Sequence, residues 1–480
     1  MIRQAEREGI KPIGYHLSCI AQLLAEIGRR DAHDQPQDLR AWVDLELLLT
    51  DALFMYGSHV LTGRINPHDL KEAWFGERSP VDLGNALQLA SETDRVAEFL
   101  ENLRPTHAGY AALQQTLAWY RDIAARGGWP VIPAGLKLQR GDHGPRVTIL
   151  KHRLQLTADL ERASEGVDDI FDAALEHGLR RFQERHGLDA DGTVGASTLA
   201  ALNVPVETRV RQIELNMERW RWLPQTLEER YILVNIANFA LDVVERGRSV
   251  LTMRVVVGRP PRRTPFFSAV MTHLVLNPHW YVPPTIAIQD KLPLIRRDPG
   301  YVSRQNFKLF RHGEAGVTRV DPRSVDWSSV SARNFPYQLR QDPGSRNALG
   351  RVKFMLPNPY HVYLHDTPAR ELFARTERAF SSGCIRLESP MELADYLLRD
   401  DPQWPRQKAV ASGKRGTEQV VQLPTSIPVH LLYWTAWANE HRVVHFRKDI
   451  YDRDKVLEKA LIELYSVSKD ERMVEAGMPR

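Results

Sequence analysis

The sequence predicts a multidomain α+β protein, with a helical scaffold at the N-terminus, a small three-helix bundle after it, and a mainly β domain beyond residue 229. Three observations carry this reading. The chain has 480 residues, room for about three domains of ~150 residues each. Apolar residues recur three and four apart through the first half. From Tyr231 the pattern changes to β-type runs.

Residues 1–133 form the expected scaffold. Asp44 to Tyr56 is rich in strong helix formers, and Pro105 to Arg126 carries Tyr110, Leu113, Leu117 and Tyr120 at helical spacing. The turn-rich stretch from Gly127 to Gly135 then breaks helix and marks a boundary. Residues 134–203 make the bundle. Val147, Leu150 and Leu154 give one stripe, Phe171, Leu175, Leu179 and Phe182 a second, and Thr198 to Leu202 a short third helix. Residues 204–229 read as a helical linker. The mainly β domain spans 230–455, with a long Pro-rich insertion at about 283–345 whose length points to a lid. Its expected strands are Tyr231 to Val244, Val250 to Val257, His273 to Leu276, Val352 to Met355, His361 to His365 and Val429 to Trp434. The first two join in a hairpin through Glu245 to Arg248. Residues 456–480 read as a terminal helix.

Composition excludes several classes. The hydrophobic fraction of 43% and charged fraction of 26% are those of a globular protein. The net charge of +4 is mild, and the basic residues are dispersed, which argues against a nucleic-acid binder. Met1 to Gly9 is charged and lacks the apolar core of a signal peptide. No stretch reaches the ~18 apolar residues of a membrane span. Two cysteines, Cys19 and Cys384, are too few for a disulfide framework or a zinc ribbon. Cys19 lies in Leu17 to Leu24 and is expected to pack on an apolar helix stripe.

Cys384 stands in Phe380-Ser-Ser-Gly-Cys-Ile-Arg-Leu-Glu388. Gly383 permits a tight turn that displays the following side chain and N–H. Ser389-Pro-Met-Glu392 has the pattern of a capping box and predicts a helix about five residues past the cysteine. A thiol with pKa near ~8.5 benefits from a base. His365, at the end of a β-run and 19 residues earlier, is the candidate. The N–H groups of Gly383 and Cys384 are the candidate oxyanion donors. A lone cysteine is more often a small buried hydrophobe, so the pairing with His365 carries the argument. A metal reading through His361, His365 and Cys384 is disfavoured, because a spacing of four suits a helix and this stretch reads as strand. No metal and no cofactor are expected.

The residues from His365 to Ser381-Ser382-Gly383-Cys384-Ile385-Arg386 resemble the motif of the YkuD-type L,D-transpeptidases: histidine, a spacer, Ser/Thr-His-Gly-Cys, a hydrophobic residue, then Asn or Arg. Ser382 replaces the usual second histidine, as in the large Gram-negative members. Gly258 to Pro265, Asn277 to Pro284, Gln341 to Gly350, Tyr363 to Pro368 and Leu432 to Ala436 look like the same subgroup. The bundle resembles a peptidoglycan-binding domain, and the N-terminal region resembles the scaffold of these enzymes.

The resemblance implies a cysteine acyltransferase that takes a peptidoglycan tetrapeptide stem. Cys384 attacks the carbonyl before the terminal D-Ala, D-Ala leaves, and an amine of a second stem makes a 3→3 cross-link. It implies His365 as base and acid, and Gly383 N–H as oxyanion donor. Tyr363, Ser382, Arg386, Trp280 and Asn347 are the implied substrate-side residues, with a surface salt bridge as the equal alternative for Arg386. The insertion corresponds to a capping subdomain. Peptidoglycan is the implied partner, with cell-wall synthesis proteins beside it, and the periplasm or cell envelope the implied location. Two other readings stay open: an L,D-carboxypeptidase that hydrolyses the same acyl-enzyme, and a non-catalytic wall-binding scaffold. A papain-like or NlpC-like peptidase fits poorly, because there the cysteine precedes the histidine.

Overall fold

The computed structural model describes residues 2–32, 39–70, 82–93, 95–161, 168–313, 316–412, 417–439 and 443–475. The chain divides into two compact units, Met1–Leu227 with Trp434–Arg480, and Glu228–Tyr433.

In the first unit the helix formers behave as their spacing demands. Helices α1 (Leu17–Ala32), α2 (Leu39–Thr62), α3 (Leu83–Glu92), α4 (Val96–Asn102) and α5 (Ala108–Ala125) make the scaffold. Tyr15, Ile20, Ile27, Leu45, Ala52, Tyr56 and Val60 are among its buried residues. Cys19 is a correction: it is exposed. The buried face of α1 is set by Ile20 and Ile27. Cys19 is one residue off that stripe, about 100° around the helix.

The bundle is α6 (Pro145–Leu156), α7 (Ala173–Arg185) and α8 (Ala196–Leu202), closed over Val147, Leu150, Leu154, Leu175, Leu179 and Phe182. Asp172 caps α7 by accepting from the Leu175 N–H at 2.7 Å. Helix α9 (Val206–Trp220) fills the expected linker.

The second unit begins with β1 (Arg230–Asn235), β2 (Ala240–Glu245) and β3 (Arg248–Gly258). The run from Tyr231 to Val244 is therefore two strands, not one. Asn235 and Asn238 flank a turn in which Phe239 adopts φ 55°, and asparagine favours such turns. The second hairpin falls where the sequence placed it, with Arg246 and Gly247 both at positive φ.

A four-stranded sheet follows within the expected insertion. It pairs β5 (Trp280–Tyr281), β8 (Tyr337–Gln341), β6 (Phe307–Gly313) and β7 (Gly316–Val320) in that order. Short helices α10 (Pro284–Ile286), α11 (Leu292–Arg297) and α12 (Tyr301–Arg304) pack with it, and a π-helical turn, Ala287–Lys291, joins the first two. The subdomain has its own core, including Val282, Leu292, Ile295, Leu309, Trp327 and Leu339.

The main sheet has nine strands. Besides β1–β3 it contains β4 (Phe267–Leu276), β9 (Val352–Met355), β10 (Leu364–His365), β11 (Ala379–Ser381), β12 (Ile385–Leu387) and β13 (Gln419–Leu432). The order is β11-β3-β12-β10-β9-β4-β13-β1-β2, and β2 also pairs with β3. Eight strands thus close into a ring, which removes their free edges. Only the last two residues of the expected strand from His361 to His365 are in strand; His361 itself turns at φ 55°.

Helix α13 (Pro390–Leu397) starts six residues past Cys384, but Ser389 makes no side-chain cap. Proline at the first position presets the helix without that hydrogen bond. Helix α14 (Trp404–Ser412) leads to β13.

Where the β domain was expected to run to residue 455, the chain from Trp434 belongs to the first unit. Strands β14 (Ala436–Ala438) and β15 (Val444–Phe446) and helix α15 (Arg453–Glu475) pack there. Trp434 stacks on Trp220 at 4.2 Å between ring centroids, and Asn216 donates to Thr435 Oγ1 at 2.8 Å. Residues 476–480 of the expected terminal helix lie outside the described residues.

Candidate active site

Strand alternation gathers five polar side chains on one face. β10 runs parallel to β12, with Leu364 opposite Ile385 and His365 opposite Arg386. It runs antiparallel to β9, with Leu364 opposite Phe354 and His365 opposite Lys353. Leu364, Ile385 and Phe354 are completely buried. Residues one position away point to the opposite face. Lys353, His365 and Arg386 therefore form one row, and Tyr363 and Cys384 form the next. Cys384 is the diagonal neighbour of His365, a spacing of about 7–8 Å at the backbone that an imidazole can span.

The turn before the cysteine is built from short polar links. Gly383 sits at φ 120°, a conformation side-chain-bearing residues avoid. Ser381 Oγ donates to the Cys384 carbonyl at 2.5 Å and accepts from the Gly383 N–H at 3.1 Å. Thr264, with no exposed surface, accepts from the Gly258 N–H and donates to the Gly383 carbonyl, both at 2.8 Å. A β-carbon at Gly258 would come within 2.1 Å of the Arg262 carbonyl, so glycine is required there. The segment from Gly258 to Thr264 thus braces the nucleophile turn.

Ser382 is exposed, and its hydroxyl accepts from Arg262 at 2.9 Å. The same guanidinium bonds Asp290 at 2.5 and 3.0 Å and Gln289 at 2.6 Å, on the π-helical turn of the inserted subdomain.

His365 is buried. Its Nδ1–H donates to the Asp366 carbonyl at 2.5 Å, which leaves Nε2 as the acceptor. Burial chiefly holds its pKa down, to about 3. The charges of Arg386 and Lys353 add to this, and the bond to Asp366 opposes it. Burial pushes the Cys384 thiol up; hydrogen bonds from the N–H and O–H of Tyr363 and the charges of Lys353 and Arg386 pull the other way. Part of the Cys384 surface nonetheless stays open. The resting pair is a neutral thiol beside a neutral imidazole. Such a pair moves its proton during attack, not before it.

Among the described residues no three His, Cys, Asp or Glu side chains cluster as a metal site. His361 is a neighbour: its carbonyl lies 3.8 Å from Cys384 Sγ.

A family profile for the L,D-transpeptidase catalytic domain of YkuD type matches residues 229–420. A scaffold-domain profile matches 1–117, and a peptidoglycan-binding-domain profile matches 143–202. This chain carries a YkuD-type L,D-transpeptidase catalytic domain.

A Haemophilus influenzae protein, provisionally named an L,D-transpeptidase, is 36% identical over 261 residues, covering 54% of this chain and 51% of that protein. The chain thus aligns with about half the length of this curated relative. Among solved structures, an L,D-transpeptidase from Xylanimonas cellulosilytica is 17% identical and covers 62% of this chain and 99% of its own, with a TM-score of 0.20. One from Stackebrandtia nassauensis is 12% identical, covers 63% and 96%, and has a TM-score of 0.23.

Within the L,D-transpeptidase domain, the structure brings together Cys384, His365, Tyr363 and Arg386, with Ser382 on the same turn. Two expected substrate residues lie elsewhere. Trp280 is buried in the core of the inserted subdomain, against Phe307. Asn347 is 1% exposed, and its amide donates to the carbonyls of Pro278 and Asp342 while its oxygen accepts from the Leu349 N–H. It is engaged in bracing a loop. Gly383 N–H, expected as an oxyanion donor, is occupied by Ser381 Oγ, because the strained turn swings it onto that hydroxyl. The salt bridge weighed for Arg386 does not form among the described residues.

Lys353 was missed, since a lysine in Val-Lys-Phe-Met looks like any strand lysine; its register opposite His365 is the signal. Arg262 lay inside the quoted Gly258 to Pro265 segment without a role. A cavity of about 830 Å³ adjoins the segment after His365, lined by Asn277, Arg351, Asp366, Thr367, Arg370 and Glu392 among others. Neither Cys384 nor His365 lines it.

Proposed function

We propose that this protein is a cysteine L,D-transpeptidase of the cell envelope, acting on peptidoglycan tetrapeptide stems. The observation that carries the reading is the diagonal placement of Cys384 and His365, with Tyr363 donating twice to the sulfur.

The Cys384 thiol loses its proton to His365 Nε2 as the sulfur attacks the carbonyl between the third residue and the terminal D-Ala. The oxyanion meets the Cys384 N–H, which has no partner among the described residues; Gly383 N–H can join only by leaving Ser381 Oγ. His365 then returns its proton to the departing D-Ala nitrogen. A thioester remains. An amine of a second stem attacks it, yields a proton through His365, and releases the sulfur. The product is a 3→3 cross-link. The scaffold and bundle hold the enzyme on its polymer, and the periplasm is the proposed compartment, with cell-wall synthesis proteins as further partners.

Incubation with tetrapeptide muropeptides and intact-mass measurement test this. Wild type is expected to gain the acyl mass at Cys384, release D-Ala and form dimers. Cys384→Ala is expected to do none of these. Free tripeptide without dimers would establish the carboxypeptidase instead. A wild-type protein that binds peptidoglycan and never acylates would leave only the wall-binding scaffold.

A further inference from the structure

Two cations on the reactive face have no anion. Lys353 and Arg386 stand on either side of His365 in one row of the sheet. Among the described residues neither makes an ion pair. The buried Arg386 Nε has no hydrogen-bond partner, and the Lys353 ammonium rests over the Tyr363 ring at 4.4 Å. Both feel Cys384 and His365. The carboxylates whose charge reaches them are Glu371 for Arg386 and Glu418 for Lys353, and neither pairs with its cation. Desolvation pulls both cations below their ordinary pKa. Both side chains are half-buried, and an unpaired charge drawn partly out of water is costly and is commonly matched by a counter-charge.

The proposed reaction says where that counter-charge belongs. His365 must hand a proton to the leaving nitrogen, so the leaving residue lies over His365. Its carboxylate is two bonds from that nitrogen. It therefore falls among the cations that flank the imidazole.

We propose that Lys353 and Arg386 form the recognition site for the free C-terminal carboxylate of the donor stem. This rests on the transpeptidase reading and deepens it. The site selects a stem that ends one residue past the scissile carbonyl, because a longer stem presents an amide at that place. Docking also screens the two charges that oppose a proton on His365, so the donor itself readies the base. Titratable groups facing the pair are His365 from β10, Tyr363 just before it, Cys384 before β12, and the more distant Glu371 and Glu418.

The test uses the full chain and two donors, a tetrapeptide stem with a free C-terminal carboxylate and the same stem as its C-terminal carboxamide. Loss of a hydrogen-bonded charge pair is expected to lower wild-type kcat/KM for the carboxamide by about 10- to 100-fold. In Lys353→Met and Arg386→Met the carboxylate donor should fall toward the carboxamide, and the preference should shrink to less than about threefold. The carboxamide arm needs no mutation, so misfolding cannot imitate the result. Equal use of both donors by wild type, or variants that keep the full preference, would overturn the proposal and leave the transpeptidase reading intact. Failure of both donors to acylate wild-type Cys384 would remove both readings.

Discussion

At the residue scale the informative contrast is between His365 and Cys384. The imidazole is a weak base, at about 3, and the thiol is pushed up by burial. The site therefore does not store a thiolate. Iodoacetamide, a small neutral electrophile, is expected to alkylate Cys384 slowly at pH 7. The rate should climb with pH through a midpoint above the ~8.5 of a free thiol. The sign is fixed by the raised thiol, whose charged form appears only at higher pH. A midpoint below 7 would mean a preformed ion pair and a different chemistry. Tyr363 opposes the burial, donating from both its N–H and its O–H. Tyr363→Phe removes one donor to the developing sulfur anion, so the alkylation midpoint should move up further. Acylation should slow by about 10- to 100-fold, the worth of a hydrogen bond to a charged group. Of the site, Cys384 and His365 were legible in the sequence because glycine before a cysteine and a histidine at a strand end are local patterns. Lys353 was not, because its role comes from strand register. Asn347 and Trp280, expected on the substrate side, are packed in the structure, and a motif does not say whether a residue touches ligand or braces a loop.

At the element scale the nucleophile turn is held from two sides. The segment from Gly258 to Thr264 fixes its backbone, and Arg262 ties Ser382 to Asp290 on the inserted subdomain. Arg259 reinforces Asp290 at 3.1 Å. This clasp makes the position of the insertion and the shape of the turn depend on one another. A lid that excludes water favours transfer over hydrolysis, and we propose that the insertion, held to the turn by this clasp, serves as one. Arg262→Met and Asp290→Asn are each expected to raise the ratio of tripeptide to dimer product. The double variant should be little worse than either single one. A coupling of about 1–3 kcal/mol in a double-mutant cycle on that product ratio would express this. Strict additivity would detach the lid from the turn. Much of this architecture was legible, since helix period, the hairpin at Arg246-Gly247 and the inserted length are sequence features. The break at Asn235 to Asn238 was hidden by an apolar run on both sides, and the β1–β13 and β3–β12 pairings that complete the ring join strands far apart in sequence and have no local signature.

At the scale of the whole molecule the chain makes one long return. It leaves the first unit at Leu227, builds the catalytic unit, and comes back at Trp434. Sequence pattern did not reveal that boundary, because β13 runs without a compositional break into the segment that departs. What marks the return is tertiary: Trp434 on Trp220, Thr435 on Asn216, and Arg219 on Asp454 at 2.6 Å. Helix α9 thus serves as the spine of the first unit, and its buried Glu218 joins the spine to the scaffold. Glu218 has no exposed surface and accepts from Arg64 at 3.1 Å, Arg221 at 3.0 Å and the Ile65 N–H at 3.0 Å. Arg221 continues the network to Tyr110, whose hydroxyl donates to the equally buried Glu8 at 2.7 Å. Removing the charge at Glu218 takes a buried counter-charge from Arg64 and Arg221, which costs about 3–5 kcal/mol. At about 2–4 °C per kcal/mol, Glu218→Gln should lower the first thermal transition of the full chain by about 6–20 °C. Burial raises the pKa of this carboxyl, but Arg64 and Arg221 outweigh it and hold the group below the ordinary carboxylate value. Its contribution is therefore fully present above an unfolded pKa of about 4.3 and is lost as pH falls through the depressed folded value. Wild type should lose this stability in acid while Glu218→Gln has none to lose, so their melting temperatures should converge below about pH 4. A gap that stays constant from pH 7 to pH 2 would show that Glu218 acts there by shape and not by charge.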